Sequence, residues 1–457
     1  MNLEQDLIKQ SISYLNKTKD EFIISLNSLN FFNHNKKIFI NVNKISFIRK
    51  IVNLKLNKPS NIDKIENVFI SHFISDNQKY QTYDFYHDKI IEVVARYKKC
   101  LRIFINHTSQ NIRQYKNENI ENFFLIKSLF LLNHFHILLY FFSKFFYLKI
   151  LGLFSNNQMN KFAFKNISFV DSITSSANYI TSKKIVSLLK KTKAKNVFMP
   201  FEGHSWEKIT IFLIKKNIPK IKIYYYQFNL NHRKMLFLEY LNNSATQPHY
   251  ILCASKIVFD EIRYKKINIK SYLIGSNRLL KLKVKRKINN NNCLILPEGI
   301  DVEINFFINF IFKYCSLYSN LNFIFRLPPH LNKLKYQKSI KILPKNFTFT
   351  INSSLLEDIN KCKFVIFRGT SAVFNAVYNG LIPIYLKKNK SDKIPFPVDE
   401  NIDKYFYKIS KHKELFELTN KMQDKFLNNE FKVDKYLKNN YFCKFNEKKL
   451  ISILKLN

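Results

Sequence analysis

Residues Lys363–Leu386 read KFVIFRGTSAVFNAVYNGLIPIYL, and this stretch decides the fold that we predict. It begins with an apolar strand, turns at a short run of small residues, and continues as an apolar helix. Gly380 suits the C-terminal cap of that helix, and Leu381–Tyr385 then returns as a second strand. Strand, turn, helix and strand in this order are typical of a parallel α/β sheet.

The same alternation extends on both sides of this stretch. Short β-rich segments are separated by helical patterns in both halves of the chain: NVFMPF (196–201), KIKIYYYQF (220–228), HYILCAS (249–255), NCLILPEG (292–299) and NFIFRLPPH (322–330). The pattern predicts two doubly wound, Rossmann-like α/β domains that face a cleft. Ligands of such sheets bind at the carboxyl ends of the strands, so we expect the chemistry in that cleft.

A length of 457 residues favours two sizeable domains. The clearest shift in composition is LKLKVKRKINNNN (280–292), a basic and then asparagine-rich stretch without apolar periodicity. We therefore predict an N-terminal domain over residues 1–280 and a C-terminal domain over residues 293–457. The last helical pattern, NEKKLISILKL (446–456), allows either a return to the first domain or a self-association face.

The chain carries 75 Lys and Arg against 33 Asp and Glu, which gives a formal net charge of +42. Such a charge favours anionic partners, namely nucleic acid, an anionic membrane or phosphate-bearing substrates. Compositional drift towards Lys and Asn codons is the alternative explanation. The lysines run through nearly every segment and the sequence contains no recognised nucleic-acid-binding module, so nucleic acid is the disfavoured partner.

Six cysteines occur singly, without a CxxC pair or a disulfide-like framework, which fits a reducing cytoplasm. The first residues, Met-Asn-Leu-Glu-Gln-Asp, carry acids where a secretory signal needs basic and then apolar residues. We therefore expect a cytoplasmic protein.

Residues Phe123–Phe154 form a segment that is dense in Phe, Leu and Ile and interrupted by lysines. Its longest lysine-free stretch, Ser128–Ser143, is shorter than the ~18 to 20 apolar residues that a spanning helix needs. Lysines amid apolar side chains suit a segment that lies in the headgroup region of an anionic membrane, at the inner face of the cell membrane. The alternative is one or two buried core helices.

Residues Arg368-Gly369-Thr370-Ser371 offer an anion site at the start of a helix. A small-residue turn there exposes backbone N–H groups at the positive end of the helix dipole, and the Thr370 and Ser371 hydroxyls add donors. Gly369 permits close approach, and Arg368 could pair with phosphate. An ordinary helix cap is the alternative for these four residues taken alone.

The whole run, however, resembles the nucleotide-binding segment of GT-B glycosyltransferases. In that family a strand, a Gly/Ser/Thr turn, a helix and a Gly-x-Pro strand hold the donor phosphates. Here Gly369, Thr370, Ser371, Gly380 and Pro383 match the pattern. The resemblance implies a nucleotide-sugar site and metal independence, with the nucleotide sugar as a co-substrate and no further cofactor.

Other residues match this resemblance less closely. Many GT-B members carry an acidic residue on that helix to hold the ribose hydroxyls, whereas this chain has Asn375 near that place. The run Arg326-Leu327-Pro328-Pro329-His330 resembles the R-x-H-P-type strand end of bacterial capsule and lipooligosaccharide transferases, which implies that Arg326 and His330 face the donor phosphates. A Pro-rich turn with a surface histidine is the alternative. Glu298 ends another strand, where it either binds sugar hydroxyls or is solvated.

The octapeptide Pro200–Glu207, PFEGHSWE, contains the sole Trp and follows a predicted strand. Such loops carry catalytic side chains on α/β sheets. Glu202 or His204 could be the general base for an acceptor hydroxyl. The stretch is similar to an E-G-x-x-W/F-E stretch in bacterial surface carbohydrate biosynthesis proteins. The alternative is a structural loop in which Ser205 caps the next helix. His72 and Asp76, after an early strand, are further candidates for the acceptor side, and a capped helix start is the alternative for them.

Together the pattern and the resemblance favour a glycosyltransferase that moves a sugar from a nucleotide-activated donor to a surface glycan or lipid-linked acceptor, as in capsule or lipopolysaccharide synthesis. A sugar-nucleotide epimerase of the same fold is the enzymatic alternative, and a basic nucleic-acid-binding protein is the non-enzymatic one. The Phe123–Phe154 segment favours transfer, since an epimerase needs no lipid acceptor. The sequence has no metal-binding motif in a convincing context, so we predict no metal site.

Overall fold

The computed structural model describes residues 62–73, 84–106, 116–125, 135–156, 169–228, 244–279, 291–328, 331, 336–350, 353–396, 400–422 and 433–456, apart from short gaps at 118, 155, 266, 338–339, 341, 390–391, 393 and 395. The described residues form two largely parallel, Rossmann-like α/β sheets with helices packed against them, which confirms the predicted fold class.

The first sheet contains eight described strands: β1 (Asn67–Phe73), β2 (Cys100–Asn106), β3 (Lys116–Asn117), β4 (Ile120–Leu125), β5 (Asn196–Pro200), β6 (Lys222–Gln227), β7 (Tyr250–Cys253) and β8 (Lys270–Leu273). Their order is β3-β4-β2-β1-β5-β6-β7-β8, and every neighbouring pair except β3 with β4 is parallel. All seven residues of β1 are buried, as expected for a central strand with helices on both faces of the sheet.

The second sheet contains six described strands: β9 (Asn292–Leu296), β10 (Asn322–Phe325), β11 (Phe347–Phe349), β12 (Phe364–Phe367), β13 (Ile382–Leu386) and β14 (Tyr407–Ile409). Their order is β11-β10-β9-β12-β13-β14, with every pair parallel. The stretch that decided the predicted fold supplies β12 and β13.

Twelve described α-helices accompany the sheets: α1 (Ile90–Ala95), α2 (Phe135–Phe154), α3 (Phe169–Leu189), α4 (Ser205–Asn217), α5 (Lys256–Tyr264), α6 (Asp301–Leu317), α7 (Leu355–Asn360), α8 (Ala372–Tyr378), α9 (Glu400–Tyr405), α10 (His412–Lys421), α11 (Val433–Asn440) and α12 (Glu447–Leu454). Most of them carry one row of buried apolar residues, because parallel strands need a helical crossover that covers the sheet.

The strand order reverses once in each sheet, and each reversal leaves a crevice at the carboxyl ends of two neighbouring strands. In the first sheet the chain runs outward through β1, β2 and β4 and then starts again with β5 beside β1. In the second sheet it runs outward through β9, β10 and β11 and starts again with β12 beside β9. Open α/β sheets bind ligands at such switch points. The residues that follow β1, β5, β9 and β12 are therefore placed for a site.

The C-terminal segment returns to the first sheet. Leu450 and Leu454 of α12 belong to a buried apolar cluster with residues of α1 and of the first sheet, and Glu447 forms an ion pair with Arg96 at 2.8 Å. Gly275, with φ of +78°, lies so close to this segment that a Cβ atom there would stand 2.3 Å from the Lys444 carbonyl oxygen. Of the two arrangements that its periodicity allowed, the last helix therefore adopts the return to the first sheet.

Helix α2 is apolar on both its buried and its exposed face. The buried face packs on α3, where the rings of Phe141 and Tyr179 are 5.4 Å apart. The opposite face leaves large apolar side chains between 38% and 80% exposed: Leu139, Tyr140, Phe146, Tyr147, Ile150, Leu151, Leu153 and Phe154. In the part of the chain that the structure describes, every helix is too short or too polar to cross a membrane.

Candidate active site

The loop between β5 and α4 is held in shape by a buried carboxyl group. Glu207, in the first turn of α4, has no solvent exposure. It accepts hydrogen bonds from the backbone N–H of Glu202 at 3.2 Å and of Gly203 at 3.0 Å. Gly203 has φ of +78°, a conformation that favours glycine. His204 occupies the N-cap position and Ser205 is already helical, so Ser205 is not the cap that the structural alternative assumed.

This loop brings three titratable side chains together at the first switch point. The Glu202 carboxylate lies 3.5 Å from Nε2 of His204 and 4.0 Å from Nε2 of His72. Its side chain is 20% exposed, that of His204 is 43% exposed, and His72 at the end of β1 is nearly buried. The two residues predicted as general base are thus in contact. Strand adjacency places His72, an acceptor-side candidate, beside them, whereas Asp76 lies outside the described residues.

Aromatic rings enclose the His72 imidazole. The indole of Trp206 meets it edge to face at a centroid distance of 5.1 Å, and the Tyr86 ring meets it at 4.9 Å. These rings form an apolar wall beside the Glu202 carboxylate, which reduces access of water and strengthens charge interactions there.

The proton affinities of this cluster follow from its geometry. Desolvation lowers the pKa of His204, but the hydrogen bond and charge of Glu202, with the charge of Glu207 added, outweigh it and raise that pKa to about 9. Burial raises the pKa of Glu207 to about 8, although the charge of His204 and the two backbone N–H groups oppose it. At neutral pH His204 therefore holds its proton and is not available as a base.

The second switch point has a similar loop between β9 and α6. The backbone N–H of Glu298 donates to the Glu303 carboxylate at 3.1 Å. Burial, followed by the charge of Glu298 beside it, raises the pKa of Glu303 above its usual range. The Glu298 side chain lies against Gly369, where a Cβ atom would stand 1.4 Å from its Oε1. A side chain at position 369 would therefore displace the Glu298 carboxylate from its present place over the turn.

Both loops share the pattern E-G-x-x-x-E, at residues 202–207 and 298–303. In each, the backbone N–H of the first glutamate donates to the carboxylate of the second, which stands at the start of the following helix. Sequence reasoning singled out Glu202 and Glu298 but missed Glu303, and the repeated spacing was the signal that could have found it.

The two arginines predicted to face phosphate have protein partners. Arg368 Nη1 donates to Asp392 and to the Leu386 carbonyl, each at 2.6 Å. Arg326 Nη1 donates to Asp358 at 2.6 Å and to the Ser353 carbonyl at 2.8 Å. The acidic partners were not foreseen from the sequence. In both guanidinium groups these bonds engage Nη1, so a phosphate would share the group with the carboxylate that already pairs with it.

The remaining predicted residues lie at or near the turn before α8. Thr370 Oγ1 accepts a hydrogen bond from the backbone N–H of Ala372 at 3.3 Å, whereas the Ser371 side chain makes no cap hydrogen bond to α8. Asn375 is buried on α8. His330 lies outside the described residues.

Comparison with protein-family models and with curated proteins gave no match. Among solved structures, the S. aureus MnaA-UDP complex matches with a TM-score of 0.50 and 10% identity over 86% of this chain and 98% of that chain. The UDP-GlcNAc 2-epimerase from Neisseria meningitidis bound to UDP-GlcNAc matches with a TM-score of 0.49 and 11% identity over 86% and 100%. The glycosyltransferase SnogD from Streptomyces nogalater matches with a TM-score of 0.43 and 7% identity over 86% and 99%. At these identities the likeness shows the fold alone, which is that of GT-B enzymes.

The retained protons predict how stability depends on pH. The folded chain keeps the Glu207 proton up to about pH 8, whereas an unfolded glutamate loses it near 4.5, so this group makes the fold less stable as pH rises between these values. The raised pKa of His204 acts in the same direction, since its contribution is complete below about pH 6.5 and is lost as pH rises through about 9. Glu207→Gln should therefore reduce the pH slope of the unfolding free energy between about pH 5 and 8 by about 1 kcal/mol per pH unit.

Urea unfolding followed by the fluorescence of Trp206, the only tryptophan, measures this slope. Glu417→Gln is the matched control, because Glu417 is 61% exposed, and it should keep the slope of the unchanged protein. An equal slope for all three proteins would show that Glu207 does not retain its proton in the folded state.

Proposed function

We propose that this protein transfers a sugar from a nucleotide-activated donor to a hydroxyl of a glycan or lipid-linked acceptor. The proposal assigns acceptor binding to residues 1–280 and donor binding to residues 293–457. The observation that carries it is the position of Glu202, a carboxylate beside a protonated imidazole, at the switch point of the first sheet. A base in that place suits activation of an acceptor hydroxyl.

In the proposed reaction Glu202 takes the proton of the acceptor hydroxyl. The acceptor oxygen then forms a bond to the anomeric carbon of the donor sugar, while the bond from that carbon to the phosphate oxygen breaks. The electron pair of that bond leaves with the nucleotide, and Glu202 later releases its proton to water. His204 does not compete as the base at neutral pH because its pKa is raised to about 9.

On the donor side, Gly369, Thr370 and Ser371 offer backbone N–H groups and hydroxyls to the phosphates. Glu298 lies directly over this turn and shares a hydrogen bond with the protonated Glu303. Carboxyl groups accept hydrogen bonds from hydroxyls, so we assign the Glu298 and Glu303 pair to the ribose or to the transferred sugar.

The exposed face of α2 supports a membrane-bound acceptor. Residues 122–170 contain five lysines and not one Asp or Glu. In α2 the Lys144 ammonium lies over the rings of Tyr140 and Tyr147, at 5.8 Å and 5.9 Å from their centroids. Apolar rings with lysines between them fit the headgroup layer of an anionic membrane. We therefore propose peripheral attachment to the cytoplasmic face of a membrane through α2.

Donor binding is tested by thermal unfolding with UDP-, GDP-, CMP- and dTDP-sugars. A ligand at 100 times its dissociation constant adds about 2.7 kcal/mol to the unfolding free energy, so one nucleotide class should raise the melting temperature. Thr370→Ala combined with Ser371→Ala should abolish that shift. The control combines Thr192→Ala with Ser316→Ala, because these hydroxyls bond only to nearby backbone groups at the ends of α3 and α6. A melting temperature unmoved by every nucleotide sugar would contradict the proposal.

The role of Glu202 is tested by release of nucleotide from the donor that gave the shift. Glu202→Gln should lower the turnover by about 10²- to 10⁴-fold and leave the donor-induced shift in melting temperature unchanged. Glu66→Gln is the control, since Glu66 precedes β1 at the opposite edge of the sheet and pairs there with Lys195. Recovery of an epimerised sugar nucleotide, without release of nucleotide, would instead establish the epimerase alternative.

Membrane attachment is tested by flotation with lipid vesicles. The protein should float with phosphatidylglycerol-containing vesicles and not with pure phosphatidylcholine, because lysines need anionic headgroups. Phe146→Ser with Leu153→Ser should reduce flotation at least about tenfold. The control combines Leu317→Ser with Leu343→Ser, which removes exposed apolar side chains outside α2 and should not reduce flotation. Equal flotation of both double variants would rule out α2 as the attachment site.

A further inference from the structure

Arg278 lies just after β8, at the same carboxyl edge of the first sheet as Glu202. Its guanidinium carbon is 4.6 Å from the ring centroid of Phe85 and 4.4 Å from that of Phe228. Nη2 donates to the Phe85 carbonyl, while Nε is buried and has no hydrogen-bond partner among the described residues. No described carboxylate lies within ion-pair distance of this guanidinium. Its charge therefore lies against two rings that contact each other edge to face, without a counter-ion from the described chain.

The backbone that carries Arg278 is fixed by a buried aspartate. Asp88 Oδ2 accepts hydrogen bonds from Ser276 Oγ and from the backbone N–H of Asn277, each at 2.7 Å. Ser276 Oγ in turn accepts from the backbone N–H of Arg278 at 3.1 Å. Asp88 has φ of +52°, which a residue with a side chain rarely adopts, so the surrounding contacts hold it there. The arginine is thus positioned before any ligand arrives.

Three aromatic rings, those of Phe228, Tyr86 and His72, connect this arginine to the proposed base. The Tyr86 ring lies 4.9 Å from the His72 ring on one side and 5.2 Å from the Phe228 ring on the other. Its backbone N–H donates to Asp84 at 2.8 Å, and Asp84 also forms a buried ion pair with Arg102. The aromatic wall of the first switch point therefore continues without interruption to Arg278.

We propose that Arg278, with Phe85 and Phe228, binds an oxyanion on the acceptor sugar, either a carboxylate or a phosphate. This inference rests on the proposed function and names the class of acceptor. A guanidinium group binds either oxyanion through two parallel hydrogen bonds, and its two flanking rings keep it in one orientation. Aromatic faces also pack against the apolar face of a sugar ring.

Three probes with one sugar ring test the proposal: glucose, glucuronate and glucose 6-phosphate. Trp206 reports binding, because it is the only tryptophan and contacts the His72 ring. Titrations at about 0.15 M salt screen the general positive charge of the surface. At least one of the two anions should bind with a dissociation constant about tenfold or more below that of glucose. The anion that binds more tightly, glucuronate or glucose 6-phosphate, shows whether the acceptor carries a carboxylate or a phosphate.

Variants assign that preference to Arg278. Arg278→Gln should remove the preference for the anion. Arg278→Lys should retain only part of it, because an ammonium group cannot donate two parallel hydrogen bonds to one oxyanion. Arg263→Gln is the matched control, since Arg263 also stacks on a ring, at 5.6 Å from Phe259, but lies on α5. This control should bind the anion like the unchanged protein.

Three outcomes would overturn the inference: glucose binding as tightly as both anions, no binding of either anion, or equal weakening by Arg278→Gln and Arg263→Gln. Melting temperatures show whether each variant is folded. If a variant does not fold, the preference of the unchanged protein for an anion over glucose still tests the inference. Nucleotide-sugar binding is measured in parallel. A donor-induced shift without anion preference refutes this inference alone, whereas anion preference without any donor-induced shift refutes the proposed function.

Discussion

The candidate site depends on one interaction, in which a buried carboxyl group accepts hydrogen bonds from backbone N–H groups. Glu207 fixes the turn after β5, and through it the positions of Glu202 and His204. Glu303 does the same for Glu298 after β9. In both loops a short connection joins the strand to the helix, and one glutamate in the first turn of the helix closes it. Glu207 satisfies two backbone donors and Glu303 satisfies one, and such donors cost about 1–3 kcal/mol each when they are buried and unpaired.

The buried glutamate in each loop also affects the charge of the site, in a way that the net charge of the chain does not indicate. A protein with a formal charge of +42 has a pair of glutamates at each of its two switch points. The arginines expected there are neutralised by Asp358 and Asp392. Because burial raises the pKa of Glu207 and of Glu303, each site retains a proton and carries less negative charge than its residues suggest. Protonated carboxyl groups both donate and accept hydrogen bonds, which suits recognition of sugar hydroxyls.

The fold could be predicted from the sequence because its signal is local. Apolar strands followed by small-residue turns and helices specify parallel sheets, and the stretch 363–386 folds as expected. The contact of Glu202 with His204 was also local. The partners of the arginines were not, since Asp358 and Asp392 lie 32 and 24 residues further along the chain. His72 joins Glu202 only because β1 and β5 are neighbours, a fact of strand order that residue patterns do not contain.

The return of α12 to the first sheet makes the order of synthesis matter. Leu450, Leu454 and Leu456 complete an apolar cluster whose other members, apart from the helix itself, come from residues before 275. While the chain emerges from the ribosome, that cluster lacks one side until the second sheet has also been made. Chaperones that bind exposed apolar surface therefore have their longest opportunity at the first domain, and co-translational folding of that domain ends only with the last helix.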